Sequence, residues 1–239
     1  GSVGVPCVKL RNFRSKYVGE TEGNLEQLLT VLRAMGPVVI VIDEADAALG
    51  TREGSGDSGT SSRVFSMIAS QMGDTRYRGK LIWMLLTSRP DLLPIDLKRQ
   101  GRAEVHLPLF SPRDDAEVNF MFKVMAKKNG FKLDPAVLPE GLSKRGYSGA
   151  DIESIVLSAK RLALTKGRDE VTGEEVARAI DDFVPSAQGL EKEKQELAAV
   201  LECTSMSFLP EDWKERLSHP EARAKIQERM AAIRNLIEE

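Results

Sequence analysis

Two adjacent acids, Asp43 and Glu44, follow the continuously apolar run Val38–Ile42. An unbroken run of β-branched residues predicts a strand buried on both faces, as in the centre of a parallel sheet. Ligands of open α/β sheets bind outside the carboxyl ends of the strands, which is where both acids are expected. Asp43 is suited to hold Mg²⁺ through water, and Glu44 is suited to orient and deprotonate an attacking water molecule. The alternative is a strand that ends in solvated acids before an ordinary turn.

The elements around this strand alternate between strand and helix over the first half of the chain. Further strands are predicted at Val5–Leu10, Leu81–Leu86 and Val105–Leu109. Helices are predicted at Asn24–Met35 and Val64–Met72. The glycine-punctuated segments Arg11–Gly23 and Gly50–Ser62 are predicted to be loops. This alternation favours a parallel sheet flanked by helices. After Pro112 the pattern changes, because residues 113–128, 149–165 and 172–182 all have helical periodicity with no strand between them. From Gly189 onward the chain is again helical and heavily charged.

Five motifs occur in a fixed order that resembles the AAA+ ATPases, in the branch of protein-remodelling and proteasome-type unfoldases. The resemblance covers roughly residues 5 to 183. Tyr17-Val18-Gly19-Glu20 resembles the family's pore loop, and Gly36–Leu49 resembles its Walker B segment. Arg89-Pro90-Asp91 resembles the sensor-1 region, and Arg99-Gln100-Gly101-Arg102 resembles the arginine-finger segment. Gly146–Asp151 resembles the start of the sensor-2 helix.

The resemblance implies a role for each residue near the nucleotide. Asp43 positions Mg²⁺ and Glu44 activates water, as the residues themselves suggest. Ser88 stands where the family usually has asparagine, and its shorter side chain implies a weaker or water-mediated contact with the γ-phosphate. In the family the arginines that match Arg99 and Arg102 act on the nucleotide of the neighbouring subunit, where a guanidinium neutralises transition-state charge. Solvated arginines near a turn are the alternative.

Two further motifs have implied contacts with nucleotide and substrate. The small residues Gly149 and Ala150 are where the family's backbone approaches the base and sugar, and ordinary helix capping there is equally compatible. Tyr17, Val18 and Gly19 match a pore-loop tip that grips a threaded polypeptide through an aromatic side chain. A tyrosine packed on a loop is the alternative. The loop Gly50–Ser62 lies where a second pore loop is expected.

The resemblance implies an α/β fold with a Rossmann-like parallel sheet, incomplete at its start, followed by helices. We expect a partial nucleotide-binding core over 3–111, a helical lid over 112–185 and a helical extension over 186–239. The extension could pack on the lid, on a neighbouring subunit or on a partner, and closure of the module's own core is slightly favoured. The implied activity is hydrolysis of Mg-ATP coupled to remodelling or threading of a polypeptide substrate by a homo-oligomeric, hexameric ring.

The phosphate-binding motif G-x-x-x-x-G-K-[ST] is absent from the sequence. Either the chain is a piece of an active ATPase, or its parent is a degenerate, non-catalytic scaffold. The Gly1-Ser2 start resembles the remnant of a removed tag. Together with the intact Asp43-Glu44 pair, it favours a piece of an active ATPase over a degenerate scaffold. In both cases we expect the chain alone to bind ATP poorly and to be inactive, because the missing loop supplies the backbone amides and lysine that hold the phosphates.

Composition and net charge restrict the expected binding partners and the expected cellular location of the protein. The net charge of −2 provides no global field for nucleic acid, so a nucleic-acid-dependent AAA+ machine is the less favoured alternative. No apolar run reaches the ~18 residues of a membrane helix, and no secretory signal opens the sequence. The cysteines Cys7 and Cys203 favour reduced thiols and a cytoplasmic location. His106 and His219 are isolated and predict no metal site.

Overall fold

The computed structural model describes residues 4–10, 20–49, 58–185 and 189–238. Its sheet contains the parallel strands β1 (Cys7–Leu10), β2 (Val38–Ile42) and β3 (Leu81–Leu85), in the order β1-β2-β3. The register pairs Leu10 with Ile42 and Ile42 with Leu85, so the three strands end together at one edge of the sheet. The predicted α/β class with a parallel sheet is confirmed, and β2 is the central strand among the described ones.

One face of the sheet forms the core of the α/β unit. Helices α1 (Glu20–Ala34) and α3 (Ser58–Gly73) contact each other, and their leucines and isoleucines are buried with the inward side chains of β2. Val38, Ile40 and Ile42 are completely buried on this face. The short helices α2 (Ala45–Leu49) and α4 (Ile95–Lys98) add Leu49 and Leu97 to the same core.

The opposite face of the sheet is partly open to solvent. Ile82 and Met84 of β3 are 43% and 48% exposed, although an unbroken apolar run predicts burial on both faces. The expected strand Val105–Leu109 is also wrong: this segment has no strand structure, and Leu109 is 85% exposed. A strand needs a neighbouring backbone, and here the N–H of His106 donates instead to the Thr204 hydroxyl.

Two helices begin earlier than their sequence pattern predicts. Helix α1 starts at Glu20 rather than Asn24, and α3 starts at Ser58, inside the expected loop Gly50–Ser62. An ion pair between Glu22 of α1 and Arg63 of α3 (3.2 Å) lies in this extra turn and links the two helices. Serine and threonine at the start of α3 are compatible with a helix, because each lowers helix stability by only about 0.5 kcal/mol relative to alanine.

The chain forms two units, of which the second is Leu109–Gly189. It is all-helical, with α5 (Asp115–Lys128), α6 (Gly149–Thr165) and α7 (Gly173–Asp181). Asp114 caps α5, and Ser148 with Asp151 forms a capping box at the start of α6. Phe122 and Tyr147 are its largest fully buried side chains and lie at the centre of its separate core.

A buried carboxylate, Glu175, holds the start of α7 to the segment before it. It accepts hydrogen bonds from Lys166 (2.7 Å), from Arg168 (2.5 Å) and from the backbone and hydroxyl of Thr172, and its side chain is fully buried. The bonds from Lys166 and Thr172 lower the pKa of Glu175 from 4.5 to about 2. Because the folded carboxylate has the lower pKa, its contribution to stability is complete above pH 4.5 and is lost as the pH falls toward 2.

Glu175→Gln is expected to lower the melting temperature at pH 7 by about 5 °C or more, because it leaves Lys166 and Arg168 facing an uncharged amide. The difference from the wild type should shrink as the pH falls from 4.5 toward 2. Circular dichroism melts across this range provide the measurement. Glu170→Gln is the matched control, since Glu170 is exposed and forms no ion pair with any residue that the structure describes. Equal melting of the two variants would contradict a stabilising role for the buried carboxylate.

The first unit combines the chain up to Pro108 with the tail Leu190–Glu239. The tail consists of α8 (Gly189–Glu202), α9 (Glu211–Leu217) and α10 (Ala222–Glu238). Trp213 of α9 is buried and donates its indole N–H to Glu196 of α8 (3.0 Å). The tail is therefore part of the α/β unit. Among the described helices, none is both long and apolar enough to cross a bilayer.

Candidate active site

Asp43 and Glu44 lie directly beyond the carboxyl end of β2, at the edge where the three strands end together. Both side chains are exposed, whereas Ile42 before them and Ala45 after them are completely buried. The buried neighbours fix the backbone, because any shift of the acids would expose apolar side chains to water. The structure thus brings the two predicted acids to an open position beyond the carboxyl ends of the strands, where open α/β sheets generally bind their ligands.

Glu44 has an unusual backbone conformation. Its φ is +50°, and within the described ranges no other residue except glycine has a positive φ. This left-handed conformation costs a non-glycine residue about 1 kcal/mol or more, and strained residues of this kind tend to cluster at functional sites. The N–H of Glu44 donates to Asp43 Oδ1 (3.0 Å), and its carbonyl accepts the first hydrogen bond of α2 from Ala48 (3.0 Å). These bonds hold the turn that presents the Glu44 carboxylate.

Lys9 was not identified from the sequence as a site residue. Its Nζ donates to Asp43 Oδ2 (2.5 Å), and both side chains are more than a third exposed. The contact follows from the register, in which Lys9 pairs with Val41 on the adjacent strand. An exposed ion pair of this kind contributes little to stability, about 0–1 kcal/mol, so Lys9 is readily displaced by a competing cation.

A hydrogen-bond bridge connects the ends of β2 and β3. Thr87 Oγ1 donates to Asp46 Oδ1 (2.6 Å) and accepts the N–H of Arg89 (2.9 Å). Two backbone hydrogen bonds join the same strand ends: the N–H of Leu86 donates to the carbonyl of Ile42 (2.8 Å), and the N–H of Ala45 donates to the carbonyl of Leu86 (2.9 Å). The bridge sets the spacing between the acids and the segment that carries Ser88. The relevant signal in the sequence was an aspartate in the short helix α2 that follows β2 and a threonine just after β3.

Ser88 is exposed and follows Thr87 immediately. Its hydroxyl makes no hydrogen bond to any residue that the structure describes, so its rotation is not fixed by the protein. The next residue, Arg89, is bound to Asp91 (3.0 Å) and to Glu191 of α8 (3.4 Å). The bond with Asp91 raises the pKa of Arg89 above its usual value, which keeps the guanidinium charged.

The two arginines of the predicted finger segment have different surroundings. Arg99 is 67% exposed and pairs with Asp96 (3.2 Å) one turn earlier. Arg102 is half-buried and donates from Nη1 to the carbonyl of Asp96 (2.7 Å). Between them Gly101 has φ +83°, a conformation that glycine adopts without strain. Arg99 is the more accessible of the two to a neighbouring molecule.

Helix α8 of the tail holds the segment between Ser88 and the arginines. Lys98 donates to Glu202 Oε1 (2.5 Å) and to the carbonyl of Pro90 (3.2 Å). The two ring nitrogens of His106 lie 2.7 Å from the carbonyl of Glu202 and 2.8 Å from the carbonyl of Ala103. His106 is therefore a structural contact between α8 and this segment. With the Arg89–Glu191 pair, α8 contacts both ends of the segment from Arg89 to His106.

The remaining predicted residues lie elsewhere. Gly149 and Ala150 begin α6 in the second unit, where a side chain added at Gly149 would come no closer than 4.0 Å to Met125. Gly149 is therefore not required by local packing. Tyr17, Val18 and Gly19 lie outside the described residues.

The donor set fits a magnesium site of the kind that uses substrate phosphates. Mg²⁺ usually keeps several waters and binds one or two carboxylates together with phosphate oxygens. Asp43, 45% exposed, is such a carboxylate, and Lys9 already places a cation beside it. Across the described ranges, no three His, Cys, Asp or Glu side chains form a closed metal-binding group. A single exposed carboxylate such as Asp43 is suited to a metal whose other ligands are water and phosphate oxygens.

Comparison with known proteins agrees with this geometry. Residues 3–110 match the family described as "ATPase family associated with various cellular activities (AAA)". The chain is 32% identical over 157 residues to the Cell division cycle protein 48 homolog of Archaeoglobus fulgidus, an alignment that covers 66% of this chain and 21% of that protein. It is 32% identical over 193 residues to the ATP-dependent zinc metalloprotease FtsH 2 of Symbiobacterium thermophilum, covering 77% of this chain and 32% of that protein.

A third relative is the Putative ribosome biogenesis ATPase nvl of Dictyostelium discoideum, 30% identical over 184 residues, which cover 74% of this chain and 21% of that protein. The alignments thus span between 21% and 32% of the length of these relatives. The AAA match includes the acids beyond β2, the segment with Ser88 and both arginines. On these matches and this fold, the chain belongs to the AAA+ family of ATPases.

Proposed function

We propose that this chain is part of a module that hydrolyses Mg-ATP at Asp43 and Glu44 and uses the energy to remodel or thread a protein substrate. The observation that carries the proposal is the position of the two acids, exposed beyond the carboxyl end of the central strand and held there by buried neighbours. A solvated strand end alone does not account for the left-handed backbone of Glu44, which the surrounding structure maintains at a cost in stability.

Each of these residues would have a separate role at the triphosphate. Asp43 would hold Mg²⁺ in place of the Lys9 ammonium, and the metal would neutralise phosphate charge when bound. Glu44 would orient the attacking water and accept its proton. Ser88 would donate its hydroxyl hydrogen toward the γ-phosphate, and the neighbouring Thr87 bridge would keep it at a fixed distance from the acids. The longer reach of an asparagine is missing, so this contact is the weakest of the set.

The other predicted residues extend the proposal to an assembly. Arg99 and Arg102 would act on the nucleotide of the adjacent subunit in a hexameric ring. In the second unit, Gly149 and Ala150 would approach the base and sugar. Tyr17, Val18 and Gly19 would grip the polypeptide. The two cysteines are free thiols, in keeping with a module that works in the cytoplasm.

A non-catalytic scaffold is the second candidate, and the Lys9–Asp43 ion pair favours it. A lysine at 2.5 Å occupies one oxygen of the metal-binding carboxylate, and the sequence has no G-x-x-x-x-G-K-[ST] loop. We nevertheless favour the catalytic role, because an exposed lysine pair is weak and a divalent cation with phosphates competes with it easily. The missing loop leads us to propose that the 239-residue chain alone binds ATP weakly and does not turn it over.

The test compares ATP hydrolysis by the full-length natural protein and by this chain, each with an unfolded polypeptide, with DNA or with neither added. We expect the natural protein to hydrolyse ATP and the polypeptide to raise the rate, and we expect no turnover from the chain alone. Calorimetry on the chain should detect no micromolar ATP binding. If DNA rather than the polypeptide raises the rate of ATP hydrolysis, the substrate is a nucleic acid and not a polypeptide. If the natural protein hydrolyses no ATP, the non-catalytic scaffold is the correct function.

A further inference from the structure

The two candidate finger arginines lie on one short turn of the α/β unit, residues 97–103, which we call the arginine turn. The N–H of Ala103 donates to the carbonyl of Leu97 (3.0 Å), and the N–H of Arg102 donates to the carbonyl of Arg99 (3.2 Å). Leu97 is completely buried, and it is the only residue of the turn that is buried in the described structure. One buried side chain is a single anchor point, so the direction in which the turn projects depends on further contacts.

Glu202, the last residue of α8, contacts both sides of the arginine turn. Its carboxylate accepts a hydrogen bond from Nζ of Lys98, the residue directly before Arg99 (2.5 Å). Its backbone carbonyl lies 2.7 Å from His106 Nδ1, and His106 Nε2 lies 2.8 Å from the carbonyl of Ala103. The last carbonyls of a helix have no partner within the helix, which leaves that of Glu202 available to the imidazole ring.

These contacts are largely shielded from water. The side chains of Lys98, His106 and Glu202 are 16%, 19% and 29% exposed, and Glu202 Oε2 lies 3.8 Å from His106 Nδ1. The residues after α8 add a further bond, because the N–H of His106 donates to Thr204 Oγ1 (3.0 Å). Partly buried charge interactions are screened by salt much less than exposed ones, so this set restricts the arginine turn more than a surface ion pair would.

We propose that Glu202 is a positioning residue for Arg99 and Arg102 and fixes the direction in which the arginine turn presents them to a neighbouring subunit. The inference rests on the function proposed above, in which both arginines act on a neighbour's nucleotide. An arginine finger acts only when its guanidinium reaches the transferred phosphoryl group, and a misplacement of 1 Å costs about 10²-fold in rate. The tail therefore contributes to hydrolysis in the adjacent subunit through the arginines.

Glu202→Gln in the full-length natural protein is expected to lower kcat for ATP by on the order of tenfold and to leave KM unchanged. The amide keeps the size of the side chain and the backbone contact with His106, but it loses the charge that holds Lys98. Glu193→Gln is the matched control, because Glu193 lies on the same helix and pairs with Arg229 of α10 (2.7 Å). This control breaks an ion pair within the tail and should keep the wild-type kcat.

Combination with the arginine replacements separates positioning from a general loss of stability. In a protein with Arg99→Ala and Arg102→Ala, Glu202→Gln should cause no further loss of the remaining turnover, because no arginine is left to misplace. Thr204→Val removes the acceptor of the His106 N–H and should give a smaller loss of kcat that also disappears in this background. A loss of equal size in both backgrounds overturns the proposal.

Backbone hydrogen exchange of the same full-length proteins provides a readout that does not involve ATP. Amides of residues 97–106 should exchange faster in Glu202→Gln than in the wild type or in Glu193→Gln. Unchanged exchange in this segment, or faster exchange with an unchanged kcat, overturns the proposal. A wild type that hydrolyses no ATP contradicts the proposed function and this inference together, whereas an active wild type with an equally active Glu202→Gln contradicts this inference alone.

Discussion

Glu44→Gln in the full-length natural protein is expected to reduce the turnover of ATP by about 10²–10⁴-fold while leaving ATP binding unchanged. The amide keeps the size of the side chain but cannot accept the proton of the attacking water. Nucleotide binding depends on other groups, so the loss should appear in kcat rather than in the affinity for ATP. Steady-state kinetics and direct nucleotide titration separate the two.

The structure makes this substitution an unusually clean test. Glu44 is exposed, and its hydrogen bonds to Asp43 and Ala48 are made by backbone atoms, which the substitution retains. We therefore expect no change in melting temperature. Glu211→Gln is the matched control, since it removes the same charge from a side chain of the same unit that is 89% exposed. Undiminished turnover in Glu44→Gln would remove Glu44 from the role of general base.

The sheet and the acids could be predicted because their signals are local. The β-branched run that forms β2 must be buried, and the two acids after it must leave the sheet at its carboxyl end. The capping box at the start of α6 was readable for the same reason, since Ser148 and Asp151 satisfy backbone groups only a few residues away. Each of these features depends on its neighbours in sequence, and the structure retains all of them.

The features that sequence reasoning missed depend on distant residues. Val105–Leu109 has an apolar alternation typical of a strand, but Pro108 has no N–H and His106 bonds to Thr204, 98 residues away. The Lys9–Asp43 contact exists only because β1 and β2 pair in one particular register. Local propensity contains no information on either contact, so only the folded chain could disclose them.

The tail could be predicted only in part. From the sequence, closure of the module's own core was slightly favoured over packing on the lid, on a neighbour or on a partner, and in the structure the tail belongs to the α/β unit. The individual contacts of α8 were not predicted. Through Glu191 and Glu202, α8 holds Arg89 and Lys98 at either end of one segment. The tail thereby fixes the backbone from which both candidate finger arginines project, and this bears directly on how those arginines act.

Replacement of both arginines, Arg99→Ala with Arg102→Ala, is expected to lower kcat by on the order of 10³-fold or more, as for other arginine fingers. ATP binding should be retained, because the proposed role of the guanidinium groups is to act on a neighbour's nucleotide in the transition state. Arg99 is the more accessible of the two, while Arg102 is anchored on the carbonyl of Asp96. The single variants, assayed in parallel, apportion the effect between them. An exposed arginine of the tail provides the control, Arg223→Ala.

Mixing the variants distinguishes action in trans from action within one subunit. A subunit with Glu44→Gln keeps both arginines, and a subunit with the double arginine replacement keeps Glu44. If each site combines Glu44 of one subunit with the arginines of the next, random mixing in equal amounts restores about a quarter of the interfaces in a head-to-tail ring. Activity should then reappear in a mixture of two inactive proteins. If both groups serve the same subunit's nucleotide, every site in the mixture lacks one of them and the mixture stays inactive.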